Sequence, residues 1–431
     1  MRPKDFTVVG GTGSRPVKTS SREVSGQNRR EFLRAGGVSL FAVASREASA
    51  EAVAVAPAAR SPYRAAIVGC GRKGTGYARG YVLHPRTEVV AAADIDPANL
   101  ELFTRRFGVP GYKDYREMLA REKVDIVSPI LPVKANPGVV LGCTGFPVKA
   151  IYCEKPISAS LRQADEMVEA CKRRGIIFAG GDMYRNFPQF WQARDALESG
   201  ELGEVRGLNL YQSTNEISGG GCQGLSVMRL FAGDAPVEWV CGWTRGDPFS
   251  DQDQGMGGTV RFSNGIECFI HNQRVARMGI EVLCSKGVFV SDWYTFRLFR
   301  MKASAKDPRR RDSLEEIQGL YPDSGLGRRV YDDEGWRHPG TRQMAGIQSL
   351  VDALEQGIPP RTSGDDLRLA LELGIALRQS HRQGYAPVRL PVRDRELKIL
   401  PHISRYLNKK EVHGEEWYRE QMEGWKRDPQ G

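Results

Sequence analysis

From residue 64 the chain alternates short apolar runs with segments of helical spacing. Arg64–Val68 is a short apolar strand, and Thr75–Leu83 repeats its apolar positions with a helical period. Glu88–Ala93, Val124–Val127 and Lys149–Cys153 are further strand-length runs. Leu100–Phe107, Tyr115–Glu122 and the segment from Val139 to Cys143 read as helices between them. Apolar strands separated by helices predict a doubly wound parallel sheet. The pattern changes beyond residue 200. Val205–Tyr211, Val237–Trp243, Gly258–Phe262, Ile266–Asn272, Gly279–Cys284 and Val288–Val290 are strand-like. No apolar run reaches the ~20 residues of a membrane-spanning helix.

A length of 431 residues suggests two or three domains at roughly 150 residues each. Apolar residues at 40% and charged residues at 26% exclude a collagen, a coiled coil and a wholly disordered chain. The net charge is +10, but residues 1–50 hold nine Lys/Arg against four Asp/Glu, so the rest carries only +5. It has no basic stripe, and the dense run Arg309–Arg311 reads as a loop, so no nucleic-acid partner is expected. The eight Cys form no C-x-x-C pair. They read as small buried thiols, and no metal is expected.

The N-terminus has the form of an export address. Asn28-Arg29-Arg30-Glu31-Phe32-Leu33-Arg34 precedes a weakly apolar stretch, Ala35–Ala44, and Ala48-Ser49-Ala50 has the small-x-small form of a cleavage site. Together they resemble a twin-arginine signal, which makes the export machinery a partner and the periplasm the destination. Without a working signal the protein stays cytoplasmic. Residues 1–61 are then signal and linker.

Gly69-Cys70-Gly71-Arg72-Lys73-Gly74 directly follows the first strand and opens the first helix. In that context G-x-G-x-x-G is a dinucleotide loop. Gly69 allows the tight turn, Gly71 lets backbone approach a pyrophosphate, and Gly74 lets helix and strand pack closely. Asp94 ends the second strand 20 residues after Gly74. Its carboxylate suits ribose hydroxyls and repels a 2′-phosphate, which favours NAD. Arg72 or Lys73 leaves NADP open. Pro132–Asn136 and Glu154–Pro156 follow strands and are expected to line the cleft.

With Glu154-Lys155-Pro156 about 80 residues after the glycine loop, the chain resembles the Gfo/Idh/MocA family of oxidoreductases. Asp182–Phe187, Ser199–Val205 and Ser363–Asp366 resemble further segments of that family, over roughly residues 62–391. The resemblance implies a Rossmann domain over 62–181 and an α/β domain with a large open, mainly antiparallel sheet over 182–391. A C-terminal extension, 392–431, lies beyond it. The resemblance also implies hydride transfer to or from a sugar, polyol or related cyclic hydroxyl compound, and a homo-oligomer. Lys155 matches the active-site lysine. Tyr184, Arg185 and the position of Gln223 fall where substrate contacts are expected.

The departures concern the proton relay. The family's His falls on Gln223 here, its neighbouring Asp positions on Gly219 and Ser226, and a cleft His on Asn136. A glutamine can hydrogen-bond a hydroxyl but cannot take its proton. Three readings stay open: Lys155 acts alone, a His such as His271 or His338 enters from elsewhere, or turnover is lost. An NAD-dependent glycoside hydrolase or epimerase and a non-catalytic nucleotide or sugar binder are the alternatives to an oxidoreductase. Residues 292–340 read as a polar insertion, and the amphipathic tail reads as a cap on the sheet or on a neighbouring subunit.

Overall fold

Small and β-branched residues dictate the first layer. Ala65, Ala66, Ile67, Ala91, Ala92 and Ala93 are all buried, and side chains this short let helices press on both faces of the strands. The computed structural model describes residues 61–181, 183–211, 216–272, 278–293, 295–303, 311–317 and 341–427. The export-like segment, most of the linker, Arg309, Arg310, Trp336 and His338 lie outside them. The strands are β1 (Tyr63–Val68), β2 (Thr87–Ala93), β3 (Gly111–Tyr112), β4 (Ile126–Pro129), β5 (Ala150–Cys153) and β6 (Ile177–Gly180). They form one sheet in the order β3-β2-β1-β4-β5-β6. Every pairing is parallel. The helices between them are α1 (Arg72–Leu83), α2 (Pro97–Phe107), α3 (Tyr115–Arg121), α4 (Asn136–Cys143) and α5 (Leu161–Arg173). This is the doubly wound sheet expected from the alternation, with its order reversing between β1 and β4.

Two short helices, α6 (Met183–Asn186) and α7 (Pro188–Glu198), lead into the second half. There β7 (Val205–Tyr211), a π-helical turn (Ile217–Gly221) and α8 (Cys222–Phe231) come first. The following strands are β8 (Val237–Thr244), β9 (Met256–Phe262), β10 (Glu267–His271), β11 (Gly279–Cys284), β12 (Gly287–Ser291), β13 (Phe296–Ala303) and β14 (Arg311–Ile317). After α9 (Thr341–Gln356) and α10 (Gly364–Arg382), β15 (Val388–Arg389) closes a nine-stranded sheet. The sheet is antiparallel except where β10 runs parallel to β7. The inner face carries Leu208, Leu210, Val260, Cys268, Ile270, Ile280 and Val282, all buried. On the outer face His271 stacks on Tyr211, ring centroids 4.7 Å apart.

The polar stretch after residue 292 is not all loop. β13 and β14 extend the sheet, and charged pairs on their exposed face hide the strand signal: Arg297 meets Glu316 at 2.8 Å. The boundary between the halves is also less simple than the chain order suggests. Ile347, Leu350 and Val351 of α9 pack with Ile67, Tyr77 and Tyr81 in one core, so a helix from the second half covers the first sheet. Ser363 caps α10, and the Asp366 carboxylate returns to the Ser363 amide at 2.9 Å.

Candidate active site

The glycine loop has the geometry of a dinucleotide cradle. Gly69 takes φ +98°, and a Cβ there would lie 2.4 Å from the Ile130 carbonyl oxygen. A Cβ on Gly74 would lie 1.8 Å from the Gly69 carbonyl oxygen. A Cβ on Gly71 would come no closer than 4.0 Å, to Asn99 Nδ2, so the backbone there is open to a ligand. No side chain caps α1 at Gly71 and no acidic residue enters its first turn, which leaves the positive end of the helix to an anion. Arg72 and Lys73 are exposed beside it, whereas the Cys70 side chain is buried.

Asp94 stands at the carboxyl end of β2. Its carboxylate accepts the Cys70 amide at 2.7 Å and the Asp96 amide at 2.8 Å. Burial pushes its pKa above the usual carboxylate value, and the two amides offset part of that rise. Pro132 lies on the loop after β4, and Asn136 opens α4. The Asn136 amide nitrogen reaches the carbonyl oxygens of Glu154 (3.4 Å) and Pro156 (3.3 Å). Its Oδ1 is buried with no partner among the described residues, an acceptor left for a water or a ligand to satisfy. These residues fit a dinucleotide.

Glu154 and Lys155 point in different directions, as successive residues leaving a strand do. Tyr77 of α1 donates its hydroxyl to Glu154 Oε2 at 2.6 Å, so Glu154 ties the strand end to the first helix. Lys155 reaches the other half of the molecule and donates its Nζ to the Gly219 carbonyl at 2.6 Å. The Lys155–Pro156 bond is cis. The position where the resemblance puts an Asp thus supplies a backbone oxygen instead. Asp253 holds that backbone in place: it is buried and accepts the Ile217 amide at 3.0 Å, the Ser218 amide at 2.7 Å and the Gly255 amide at 3.2 Å. Sequence reasoning did not find Asp253, because it sits in a polar loop with no period. Gln223 is buried one residue into α8. Lys155, Pro156, Ile217, Ser218 and Cys222 line a cavity of about 10 Å³, the size of one water.

Two expected substrate contacts are placed differently. Arg185 is 3% exposed and is committed to the interior. It bonds the carbonyls of Arg361 (2.6 Å) and Ser226 (2.9 Å) and pairs with Asp234 at 2.9 Å. Asp366 lies 3.6 Å away and also receives Arg229 at 2.8 Å. Burial would raise the Asp366 carboxyl, but Arg185, Arg229 and Ser363 hold it below the usual value. The expectation of a substrate contact at Arg185 is therefore corrected: a planar fork this deeply paired is a joint between α6, α8 and α10. Tyr184 is half-buried and stacks flat on the buried Trp293, centroids 4.8 Å apart. His271 lies in the outer face of the large sheet, where burial lowers its pKa and Glu281 opposes that shift. Among the described residues no cluster of three or more His, Cys, Asp or Glu is positioned to hold a metal. None of their helices is long and apolar enough to cross a membrane.

Comparison with known proteins bears on the same residues. Residues 63–181 match the model of the Gfo/Idh/MocA oxidoreductase family, NAD-binding Rossmann fold. Myo-inositol 2-dehydrogenase of Thermotoga maritima is 25% identical over 341 residues, covering 74% of this chain and 96% of that enzyme. A dTDP-3,4-didehydro-2,6-dideoxy-alpha-D-glucose 3-reductase of Actinomadura kijaniata is 29% identical over 151 residues, 35% of this chain and 45% of the reductase. The chain therefore spans less than half of that reductase in the match. An oxidoreductase of Agrobacterium radiobacter, solved with NAD+, L-tartaric acid and magnesium, shares the fold with TM-score 0.62 at 19% identity, over 76% of this chain and 98% of that one. The glycine cradle and the parallel sheet behind it lie within the residues that match the Gfo/Idh/MocA model, so residues 63–181 form an NAD-binding Rossmann domain and the chain is an NAD-binding oxidoreductase similar to the proteins of that family.

Proposed function

We propose that the protein transfers a hydride between NAD and a secondary hydroxyl of a sugar, polyol or related cyclic compound, with Lys155 holding the proton of that hydroxyl. The observation that carries this reading is the Lys155 ammonium, placed at the carboxyl end of β5 and fixed to the Gly219 carbonyl at 2.6 Å. Bound NAD would accept or donate the hydride. The glycine loop and Asp94 bind and orient it, and Asn136 Oδ1 supplies a buried acceptor in the same cleft. Lys155 has no carboxylate or imidazole beside it in the described contacts, only a backbone carbonyl. It holds and returns a proton without a second titrating group, and Gln223 serves as a hydrogen-bonding neighbour. The dehydrogenase and reductase similarities support a hydroxylated substrate.

The twin-arginine reading of residues 28–50 extends the proposal. It places the enzyme in the periplasm, where free nicotinamide nucleotides are scarce and a retained cofactor serves best. The open outer face of the nine-stranded sheet supports a homo-oligomer. The test is NADH formation across a panel of cyclitols, aldoses and sugar acids, with Lys155→Met as control. A positively charged proton carrier is worth about 10²- to 10⁴-fold, so Lys155→Met is expected to lose turnover on that scale while NAD affinity holds. Equal turnover in the variant, or no NADH from any member at any pH, sinks the reading.

A further inference from the structure

The described part of the C-terminal extension lies against α5 and the loops after β2 and β4. It runs along the rim of the cofactor cleft, from the substrate end to the adenosine end. Residues 395–400 start beside α5, where the Leu161 amide bonds the Leu397 carbonyl at 3.1 Å and the Ile399 amide bonds the Ala159 carbonyl at 2.8 Å. The Leu400 carbonyl then receives the amide of Asp253, the residue that holds the turn over Lys155, at 2.8 Å. Next come α11 (Ile403–Tyr406), α12 (Lys409–His413) and α13 (Glu415–Arg427).

This segment is built onto the two loops that flank the cleft. The amides of Val133 and Lys134, on the loop after β4, donate to the carbonyls of Arg405 (3.0 Å) and Tyr406 (3.3 Å). Arg405 pairs with Glu216 at 3.2 Å, and its Nη1 lies 2.5 Å from where a Cβ on Gly219 would sit. The contact reaches the residue that positions Lys155. At the other end, Tyr418 of α13 lies against the loop after β2. Its hydroxyl is shielded from solvent. It faces Asp96, Asp94 and Asn99, and burial together with the two carboxylates raises its pKa. Ile95, between those carboxylates, is 75% exposed, and Met422 is buried one turn after Tyr418.

We infer that residues 403–422 form the outer wall of the NAD site, with Tyr418 completing its adenosine end beside Asp94, so that the dinucleotide enters and leaves only when this segment lifts. Three features carry it. The segment touches the loops after β2 and β4, between which a ligand of this sheet lies. It contacts the residues neighbouring both proposed ends of the cofactor. It also brings a hydroxyl shielded from solvent to the loop that carries the carboxylate expected to bind ribose. The inference rests on the reading that Gly69–Gly74 and Asp94 hold NAD. Binding energies are reciprocal, so a wall that retains NAD is itself held down by NAD.

The test measures NAD affinity, NAD dissociation rate and amide exchange on the full chain, on a chain ending at Leu400, and on Tyr418→Phe. NAD is expected to slow exchange of the amides in 403–422. Dissociation is expected to be about tenfold or more faster from the shortened chain. Tyr418→Phe keeps the packing and removes the hydroxyl, and a loss of affinity of about threefold is expected. If the shortened chain does not fold, the exchange measurement and Tyr418→Phe still decide. Unchanged rates, affinity and exchange overturn the wall while leaving the NAD reading intact. Tighter binding on shortening also overturns it, because the segment then blocks the site. No NAD binding to any of the three overturns the cofactor reading and the wall with it.

Discussion

The two ends of the cleft solve the same problem, fixing a reacting group, with different materials. At the phosphate end the structure is backbone: Gly69, Gly71 and Gly74 make room, and a helix terminus supplies the field. At the substrate end a charged side chain is fixed, but its partner is again backbone, the Gly219 carbonyl. The first arrangement needs particular residues at particular spacings, because only glycine fits. The second needs only a turn held in the right place, and Asp253 holds it from 34 residues further along the chain. A carbonyl oxygen can be provided by any residue. The substrate end can therefore hold its lysine with a backbone oxygen alone among the described contacts.

Three changes break or sharpen this contrast. The largest effect is expected at Gly74. A valine there would drive its Cβ to 1.8 Å from the Gly69 carbonyl oxygen, and that obstacle is backbone, which cannot swing aside as a side chain can. Overpacking of this kind costs about 3 kcal/mol or more, and if that falls on the loop NAD affinity drops by about a hundredfold. Calorimetric titration with NAD and a thermal melt check it. A Gly74→Val variant that binds NAD normally would show that the loop is not the cradle.

Asp253→Ala is next, and it should separate the two ends. It leaves the amides of Ile217, Ser218 and Gly255 without their acceptor. Each orphaned buried donor costs about 1–3 kcal/mol, part of which water in the new space recovers, so a loss of about 3 kcal/mol is expected. The Gly219 carbonyl is then no longer held over Lys155. Turnover should fall by tenfold or more with NAD affinity unchanged. A fall in NAD affinity as large as the fall in turnover would mean that the two ends are one unit.

How much of this could be read from residues follows from the same contrast. The parallel sheet, the glycine loop, Asp94 and the Glu154-Lys155-Pro156 corner were legible because each is local: a strand, a turn and a helix start within a few residues. Asp253, the Gly219 carbonyl and Tyr418 were not. Asp253 is one acid among polar neighbours, a backbone oxygen leaves no trace in composition, and Tyr418 matters only because the chain returns to the loop after β2. Arg185 was legible as a charged residue on a family segment, but not as a buried joint, since its carboxylates come from positions 234 and 366. β13 and β14 were hidden because their cross-strand ion pairs, Arg297 with Glu316 and Arg300 with Glu315 at 3.6 Å, are written in charged residues.

The smallest effect belongs to Asp94→Asn, which probes the legible end without crowding it. The side chain keeps its shape, but one of the two oxygens that accept the Cys70 and Asp96 amides becomes a donor. One charge-assisted contact is lost, worth about 1.4 kcal/mol or tenfold in NAD affinity. The repulsion toward a 2′-phosphate goes with it, so the preference for NAD over NADP should narrow by more than NAD affinity falls. The pH dependence gives a second check. Burial raises the Asp94 pKa in the free protein, and ribose hydroxyls are accepted best by the ionised carboxylate. NAD binding by the native chain should be full above that raised pKa and weaken as the pH falls through it. The asparagine variant has no such proton, so its affinity should stay level over the same range. A native chain whose NAD affinity is flat through the acid range would remove Asp94 from the ribose and leave it as the brace of its own loop.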